Sequence, residues 1–222
     1  MKRLAVFARR PEPGRVKTRL SPALPSNLAL ELYRGLLSDA FLVAAAASAD
    51  DRAVYWDGAR TGAADTISAG FRAAEQTGGD LGARLERAFD DLLQARGDRA
   101  VIMGADCPEM TAQAVDAAFD SLSATDLVLG PTRDGGYYLV GLRRRAPEIF
   151  RGIPWSTAGV LQQTLDRARA ARIGWSLLET LDDLDTPADL VGLVARGLLD
   201  RSRLPRHTAA TLEAIGLLPP VR

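Results

Sequence analysis

Arg99-Ala100-Val101-Ile102-Met103-Gly104-Ala105-Asp106-Cys107-Pro108 is the stretch whose reading decides the fold. A short apolar run ends in a carboxylate, and Pro108 forbids the strand from continuing. The pattern predicts a buried strand over 100–103 with Asp106 at its carboxyl end. In open α/β sheets ligands bind at that edge. An Asp there can hold a divalent metal, and the metal can hold phosphates. Asp before Pro is also a common turn former. Cys107 reads as a small buried residue, with no histidine nearby to activate its thiol.

Outward from this strand, short apolar runs alternate with helical spacings. Strands are expected over 3–8, 52–56, 100–103, 126–129, 137–142 and 175–178. Helices are expected from Ser26, as N-cap, to about Ser48, and over Ile67–Ala74, 83–95, 111–122, 157–171, 186–196 and 207–215. The alternation argues for an α/β fold with a mainly parallel sheet covered on both faces. The interruption around Gly135 marks one strand that enters out of rhythm.

The composition allows this fold and removes several functions. The chain has 222 residues, 47% apolar and 25% charged, which suits one large α/β domain spanning 1–222. Lys and Arg number 28, as do Asp and Glu, so no global field draws nucleic acid or an acidic membrane. The longest apolar stretch, Ala40–Ala49, is too short to span a bilayer. No signal peptide is visible, and a lone cysteine fits a reducing cytoplasm. A single histidine, His207, leaves carboxylates with a metal as the default machinery.

Several segments add chemistry to Asp106. Pro11-Glu12-Pro13-Gly14-Arg15-Val16-Lys17-Thr18-Arg19-Leu20 follows the first strand, where phosphate-binding loops sit. It lacks the glycine spacing of either common phosphate loop, so Lys17 and Arg19 would have to supply the charge. Gly130-Pro131-Thr132-Arg133-Asp134-Gly135-Gly136-Tyr137-Tyr138 lets backbone approach a ligand while Asp134 reaches toward it. Asp-Gly is also a hairpin turn. Tyr137 and Tyr138 alternate faces, so at most one is expected on the pocket. Asp182-Asp183-Leu184-Asp185-Thr186-Pro187-Ala188-Asp189 crowds carboxylates that repel unless a cation joins them. Gly79-Asp80-Leu81-Gly82 is a loop into a helix, with Gln76 before it and Arg84 after it. Trp155-Ser156-Thr157 reads as a helix cap beside an aromatic that is core or pocket wall.

In this order the segments resemble the bacterial family of GT-A type glycosyltransferases, often labelled nucleotide-diphospho-sugar transferases. Pro-x-Pro-Gly-x-Val-Lys-Thr-Arg-Leu, Gly-Asp-Leu-Gly, Gly-x-Asp-x-Pro, Gly-Pro-x-x-Asp-Gly-Gly-Tyr-Tyr, Pro-Trp-Ser-Thr and Asp-x-Asp-Thr-Pro-x-Asp-Leu carry the likeness over residues 3–196. The Asp-Thr-Pro segment recurs in molybdenum cofactor and phospholactate guanylyltransferases.

The resemblance implies a Rossmann-like GT-A sheet with a nucleotide over its first strands. The nucleotide would meet Ala8, Arg9, Lys17, Arg19, Gly79, Asp80, Gly104, Asp106, Gly135 and Gly136. It implies Mg²⁺ or Mn²⁺ on Asp106 with Asp185 or its neighbour Asp183. Lys17 and Arg19 would stabilise the leaving phosphates, and Asp134 would orient or deprotonate an acceptor hydroxyl. The expected partners are a nucleotide or nucleotide-sugar donor and a small-molecule acceptor, with room for a homo-oligomer. The Asp-x-Asp motif of many glycosyltransferases is reduced here to Gly104-Ala105-Asp106, and the Leu-Ala-Gly-x-Gly-x-Arg loop of sugar nucleotidyltransferases is absent. Sugar transfer, nucleotidyl transfer from an NTP, and a non-catalytic nucleotide-binding domain all stay open at this point.

Overall fold

The structure, a computed structural model, describes residues 1–21, 23–58, 68 and 70–220. Among them are strands β1 (Lys2–Arg9), β2 (Asp51–Asp57), β3 (Arg72–Glu75), β4 (Arg99–Met103), β5 (Leu127–Pro131), β6 (Tyr137–Leu142) and β7 (Trp175–Leu177). They form one seven-stranded sheet ordered β3-β2-β1-β4-β6-β5-β7. β6 runs antiparallel to β4 and β5, and the other pairs are parallel. That is the strand out of rhythm.

The helices are α1 (Ser26–Ala46), α2 (Leu81–Leu92), α3 (Ala112–Ser121), α4 (Val160–Ala170), α5 (Pro187–Leu199) and α6 (Arg206–Ala214). The period-two alternation of the strands sorts side chains to two cores. Leu4, Val6, Val54, Trp56, Val101 and Met103 pack with residues of α1 and α3, including Leu37, Phe41, Val115 and Phe119. Ala5, Ala53, Tyr55, Ala100 and Ile102 pack on the other face with Leu85, Phe89 and Leu92 of α2. A one-residue slip of any central strand would exchange the two sets.

A third apolar cluster lies beyond α1. Leu32 and Leu36 of α1 meet Leu190 and Leu193 of α5, Leu212 of α6, and the loop residues Leu20 and Leu184. Leu20 and Leu184 are fully buried, so both loops that flank the cleft are pinned through leucines.

Three local expectations differ from the structure. The helix expected over Ile67–Ala74 begins outside the described residues, which also omit Ala69, and Arg72–Glu75 is β3. Its alanines favour a helix, but the open edge of β2 offers unpaired main-chain groups, and β3 satisfies them. Ser26 does not cap α1: Pro25 is the N-cap, with its carbonyl accepting from Ala29 N at 2.9 Å. Thr157 does not open α4. Its hydroxyl donates to the Pro154 carbonyl at 2.8 Å, and the helix starts at Val160 after Gly159.

α6 is capped by a residue from another helix. The buried Asp39 carboxylate, on α1, accepts from His207 N at 2.9 Å, Thr208 N at 2.7 Å and Thr208 Oγ1 at 2.8 Å. Asp39→Ala removes this cap at a cost of about 1–2 kcal/mol. At about 2–4 °C per kcal/mol for a chain of this size, thermal unfolding should shift down by several degrees. A melting temperature equal to the wild type would show that α6 does not depend on it.

Candidate functional site

A cleft of about 790 Å³ lies over the carboxyl ends of β1, β2 and β4. It is lined by Ala8 and Arg9 from β1, by Lys17 and Arg19 from the following loop, and by Gly104 and Asp106 after β4. Gly79, Asp80, Asp183 and Asp185 also face it. Parallel strands return their ends to a common edge, which gathers segments far apart in the chain.

Lys17 is the centre of the cleft's bonding. Its backbone is left-handed, with φ 50°, a conformation that costs a non-glycine residue roughly 1–2 kcal/mol. That turn sends the side chain inward, where it is 3% exposed. Nζ lies 2.5 Å from Asp106 Oδ1 and donates to the Leu184 carbonyl at 2.6 Å. Leu184 N in turn donates to the Asp106 carbonyl at 2.9 Å. Next to this knot, Arg19 Nη1 pairs with Asp185 Oδ2 at 2.8 Å. Two of the three carboxylates expected to hold metal, Asp106 and Asp185, are therefore matched with cations expected to hold phosphate, and Asp183 has no ion pair among the described residues.

The acidic segment divides its labour. Asp182 is an anchor: it pairs with Arg133 at 2.8 Å and Arg196 at 3.3 Å, and its carbonyl accepts from Cys107 Sγ at 3.1 Å. Asp189 completes the capping box of α5 with Thr186. Asp183 is half-buried with its carboxyl pushed up to about 6, first by burial and second by the charge of Asp134. Burial likewise pushes the Cys107 thiol up to about 12, so it stays a neutral packing group.

The Asp134 segment is the hairpin turn between β5 and β6. Asp134 Oδ1 accepts from Thr132 Oγ1 at 2.5 Å and from Gly136 N at 2.9 Å. Gly135 has φ +92°, and a side chain there would strike the Ala158 carbonyl. Asp134, Gly135 and Gly136 are thus held in the turn and do not line the cleft, although the charge of Asp134 reaches Asp183. Their neighbours replace them: both Tyr137 and Tyr138 line the cleft, against the expectation of at most one. The cleft wraps around the end of β6, so it meets side chains of both sheet faces there. Trp155 joins this wall, edge-on to Tyr137 at 6.3 Å between centroids.

The donor set fits a hard divalent cation. Asp106 is 55% exposed on the cleft, and Asp185 faces the same space. Two carboxylates with remaining positions filled by phosphate and water is the usual pattern for Mg²⁺. Among the described residues no group of three or more His, Cys, Asp or Glu forms a ready-made metal cage.

Two cleft residues, Tyr33 and Asp57, stand outside the quoted motifs, and a third, Val16, belongs to the loop motif with no role read for it. Tyr33 of α1 accepts from Arg9 N and donates to its carbonyl, both at 2.9 Å, fixing the end of β1. Asp57 ends β2 and pairs with Arg84 at 2.9 Å. Val16 is buried beneath the loop. For Asp57 alone a signal existed, a carboxylate at a strand end followed by Gly58.

Residues 40–157, more than half of the chain, match the family described as "Uncharacterized protein conserved in bacteria" (DUF2064), and the chain belongs to it. Among solved structures, a protein of Desulfovibrio desulfuricans G20 with a provisional nucleotide-diphospho-sugar transferase name is 31% identical. The match covers 97% of this chain and 96% of that one, with a TM-score of 0.87. A nucleotidyl transferase from Methanothermobacter thermautotroptrophicus is 14% identical over 87% of this chain and 95% of that one, TM-score 0.58. Glucosyl-3-phosphoglycerate synthase from Mycobacterium tuberculosis, solved with Mg²⁺ and UDP, is 13% identical over 99% and 80% of the two chains, TM-score 0.51. The last two share the fold. The search of curated proteins finds no match.

The raised Asp183 carboxyl carries a stability signature. A carboxyl whose folded value exceeds the ordinary 3.8 favours folding below that value and loses the contribution as pH rises through about 6. With a chelator present, Asp183→Asn should therefore raise the melting temperature at about pH 8 and leave it unchanged near pH 4. An equal effect at both pH values would separate the substitution from this titration.

Proposed function

We propose that this protein is a metal-dependent transferase that takes a nucleotide-activated donor, a nucleotide-diphospho-sugar, and passes the sugar to a small-molecule acceptor. One observation carries the reading. Lys17 and Arg19, from one loop, meet Asp106 and Asp185 at the ligand edge of the sheet. Two cations suit a diphosphate, and two carboxylates suit a cation that bridges to it. The name carried by the relative from Desulfovibrio desulfuricans supports the donor class.

In this reading Asp106 and Asp185 would hold Mg²⁺ or Mn²⁺, which when bound adds positive charge beside the leaving phosphates. The residues of the chain do the rest. Lys17 and Arg19 exchange their carboxylate partners for phosphate oxygens as the donor enters. Trp155 and the tyrosine pair wall the acceptor side and exclude water. The acceptor hydroxyl attacks the anomeric carbon, the bond from that carbon to the phosphate oxygen breaks, and the nucleoside diphosphate leaves with the bonding pair. Asp183, with its carboxyl near 6, takes the hydroxyl proton. Asp134 acts on Asp183 through its charge and keeps the turn closed.

Lys17→Ala and Arg19→Ala should each weaken nucleoside diphosphate binding about tenfold or more, as expected for one lost charge-assisted hydrogen bond. The unphosphorylated nucleoside should lose little. Titration calorimetry reads both, and equal losses for the two ligands would show that the loop does not read phosphate. Incubation with labelled nucleotide sugars and, in parallel, with NTPs tests the reaction itself. Pyrophosphate release from an NTP would reassign the chemistry to nucleotidyl transfer, and turnover of neither donor over a broad acceptor set would leave a binding domain.

A further inference from the structure

Away from the cleft, α5 carries an apolar surface that the fold leaves uncovered. Its inner side is Leu190, Leu193 and Gly197, all buried. At 3.6 residues per turn the opposite side is Ala188, Gly192, Ala195 and Leu199, a seam with steps of four, three and four residues. Val191 and Leu198 flank the seam on one side, Asp189 and Arg196 on the other. Val191, Leu198 and Leu199 are 69%, 60% and 88% exposed, and Ala188 and Ala195 are exposed as well. Among the described residues, a side chain added at Gly192 would meet only Arg196 Nη1, at 3.6 Å.

A helix that is apolar on all sides belongs in an interior. Asp189 and Arg196 are the charged residues of α5, and both are already engaged within the chain. Asp189 completes the capping box with Thr186, and Arg196 pairs with Glu109 at 3.2 Å and Asp182 at 3.3 Å. The seam itself holds no group that needs water.

We propose that this seam is a homodimer interface, in which α5 packs antiparallel against α5 of a second copy. The proposal is independent of the transferase reading. Steps of four and three residues are those of a coiled-coil seam, and a two-fold axis sets the same patch of both copies face to face. With the axis level with Leu193 and Val194, Ala188 meets Leu199 of the second copy and Gly192 meets Ala195. The large side chain faces a small one, and the small central pair lets the two backbones approach closely. On one flank Val191 meets Leu198, and on the other Asp189 comes opposite Arg196. A parallel pairing would stack Leu199 on Leu199 and leave Gly192 on Gly192. It would also set Asp189 against Asp189 and Arg196 against Arg196, and like charges facing each other are unfavourable.

A bilayer suits this face less well. Helices that lie on membranes present large apolar side chains bordered by Lys and Arg, whereas the centre here is Ala and Gly, and its one arginine is engaged within the chain. The size of the face sets the strength of the dimer. α5 has 13 residues and is about 20 Å long. One such helix pair buries less than the roughly 800 Å² per partner of a standard interface. The dimer is therefore weak and forms as the concentration rises.

Sedimentation velocity of the full chain, from micromolar to near-millimolar concentration, should show a monomer–dimer equilibrium. Leu198→Glu should weaken the dimer about tenfold or more, because it brings a carboxylate into the seam. Its melting temperature at low concentration should match the wild type, since the position is exposed. Cross-linking tests the register without loss of function. A mixture of Gly192→Cys and Ala195→Cys chains should give a disulfide-linked heterodimer on mild oxidation, in excess of the self-linked product of either variant; Cys107 is buried and does not compete. A wild type that stays monomeric throughout, or a dimer unchanged by Leu198→Glu, overturns the interface. Self-linking of either cysteine variant in preference to the mixed product overturns the antiparallel pairing. Cosedimentation of a monomeric wild type with anionic phospholipid vesicles, lost in Leu198→Glu, overturns the dimer and gives the face to lipid.

Discussion

The buried ammonium of Lys17 is the constraint on which the site depends. It joins three segments that share no sequence neighbourhood: its own loop after β1, Asp106 after β4, and Leu184 before α5. The strained backbone at Lys17 exists because the ammonium reaches a carboxylate and a carbonyl that would otherwise stay unpaired. A buried charge without partners is prohibitive, whereas one with a short ion pair and a hydrogen bond is tolerated. Leu20 and Leu184 reinforce the same junction from below by burying in one apolar cluster. Polar closure above and apolar closure below hold the cation loop and the acidic segment at a fixed separation.

That closure settles the electrostatics of the ligand-free cleft. Asp106, Asp183 and Asp185 face one space, and the charge of Asp134 reaches Asp183. Lys17 and Arg19 neutralise two of these four carboxylates. Asp183, without such a partner, has its carboxyl raised, first by burial and then by the charge of Asp134. A diphosphate and a divalent cation entering together would exchange partners with both ion pairs and keep the local charge nearly constant. A metal entering alone would have to displace Lys17 from Asp106, and a phosphate entering alone would leave Asp106 and Asp185 uncompensated. The two ligands should therefore favour one another, which is coupling in the thermodynamic sense.

Most of the fold was legible in the sequence, because it follows from periodicity and punctuation. β1, β2, β4, β5, β6 and β7 each stand within a residue or two of their expected positions, and the Thr186-Pro187 start of α5 is as written. β3 was not legible: its alanines favour a helix, and only the open edge of β2 makes it a strand. The site divides in the same way. Asp106, Lys17, Arg19 and Asp185 were legible because punctuation and charge place them at strand ends and in loops. The Asp-Gly hairpin turn at Asp134 was legible as one of two readings, whereas the anchoring role of Asp182 depends on which partners the fold brings within reach. Asp57 takes its place in the cleft from Arg84, which Gln76 holds from a neighbouring element.

The order of strands gives the two sides of the cleft different side-chain chemistry. β1 is the central strand, with β2 on one side and β4 on the other. Its end carries the small side chain of Ala8 on the floor of the cleft. The β4 side collects carboxylates and the cation loop, a charged environment suited to phosphate and metal. The β2 side collects a carboxylate and a guanidinium paired with each other, the guanidinium also held by Gln76. The antiparallel β6 then closes the charged side, because its entry through a tight turn brings both faces of its first residues to the cleft. A wholly parallel sheet would place a longer connection there. The hairpin puts Tyr137, Tyr138 and, through packing, Trp155 on the wall of the cleft.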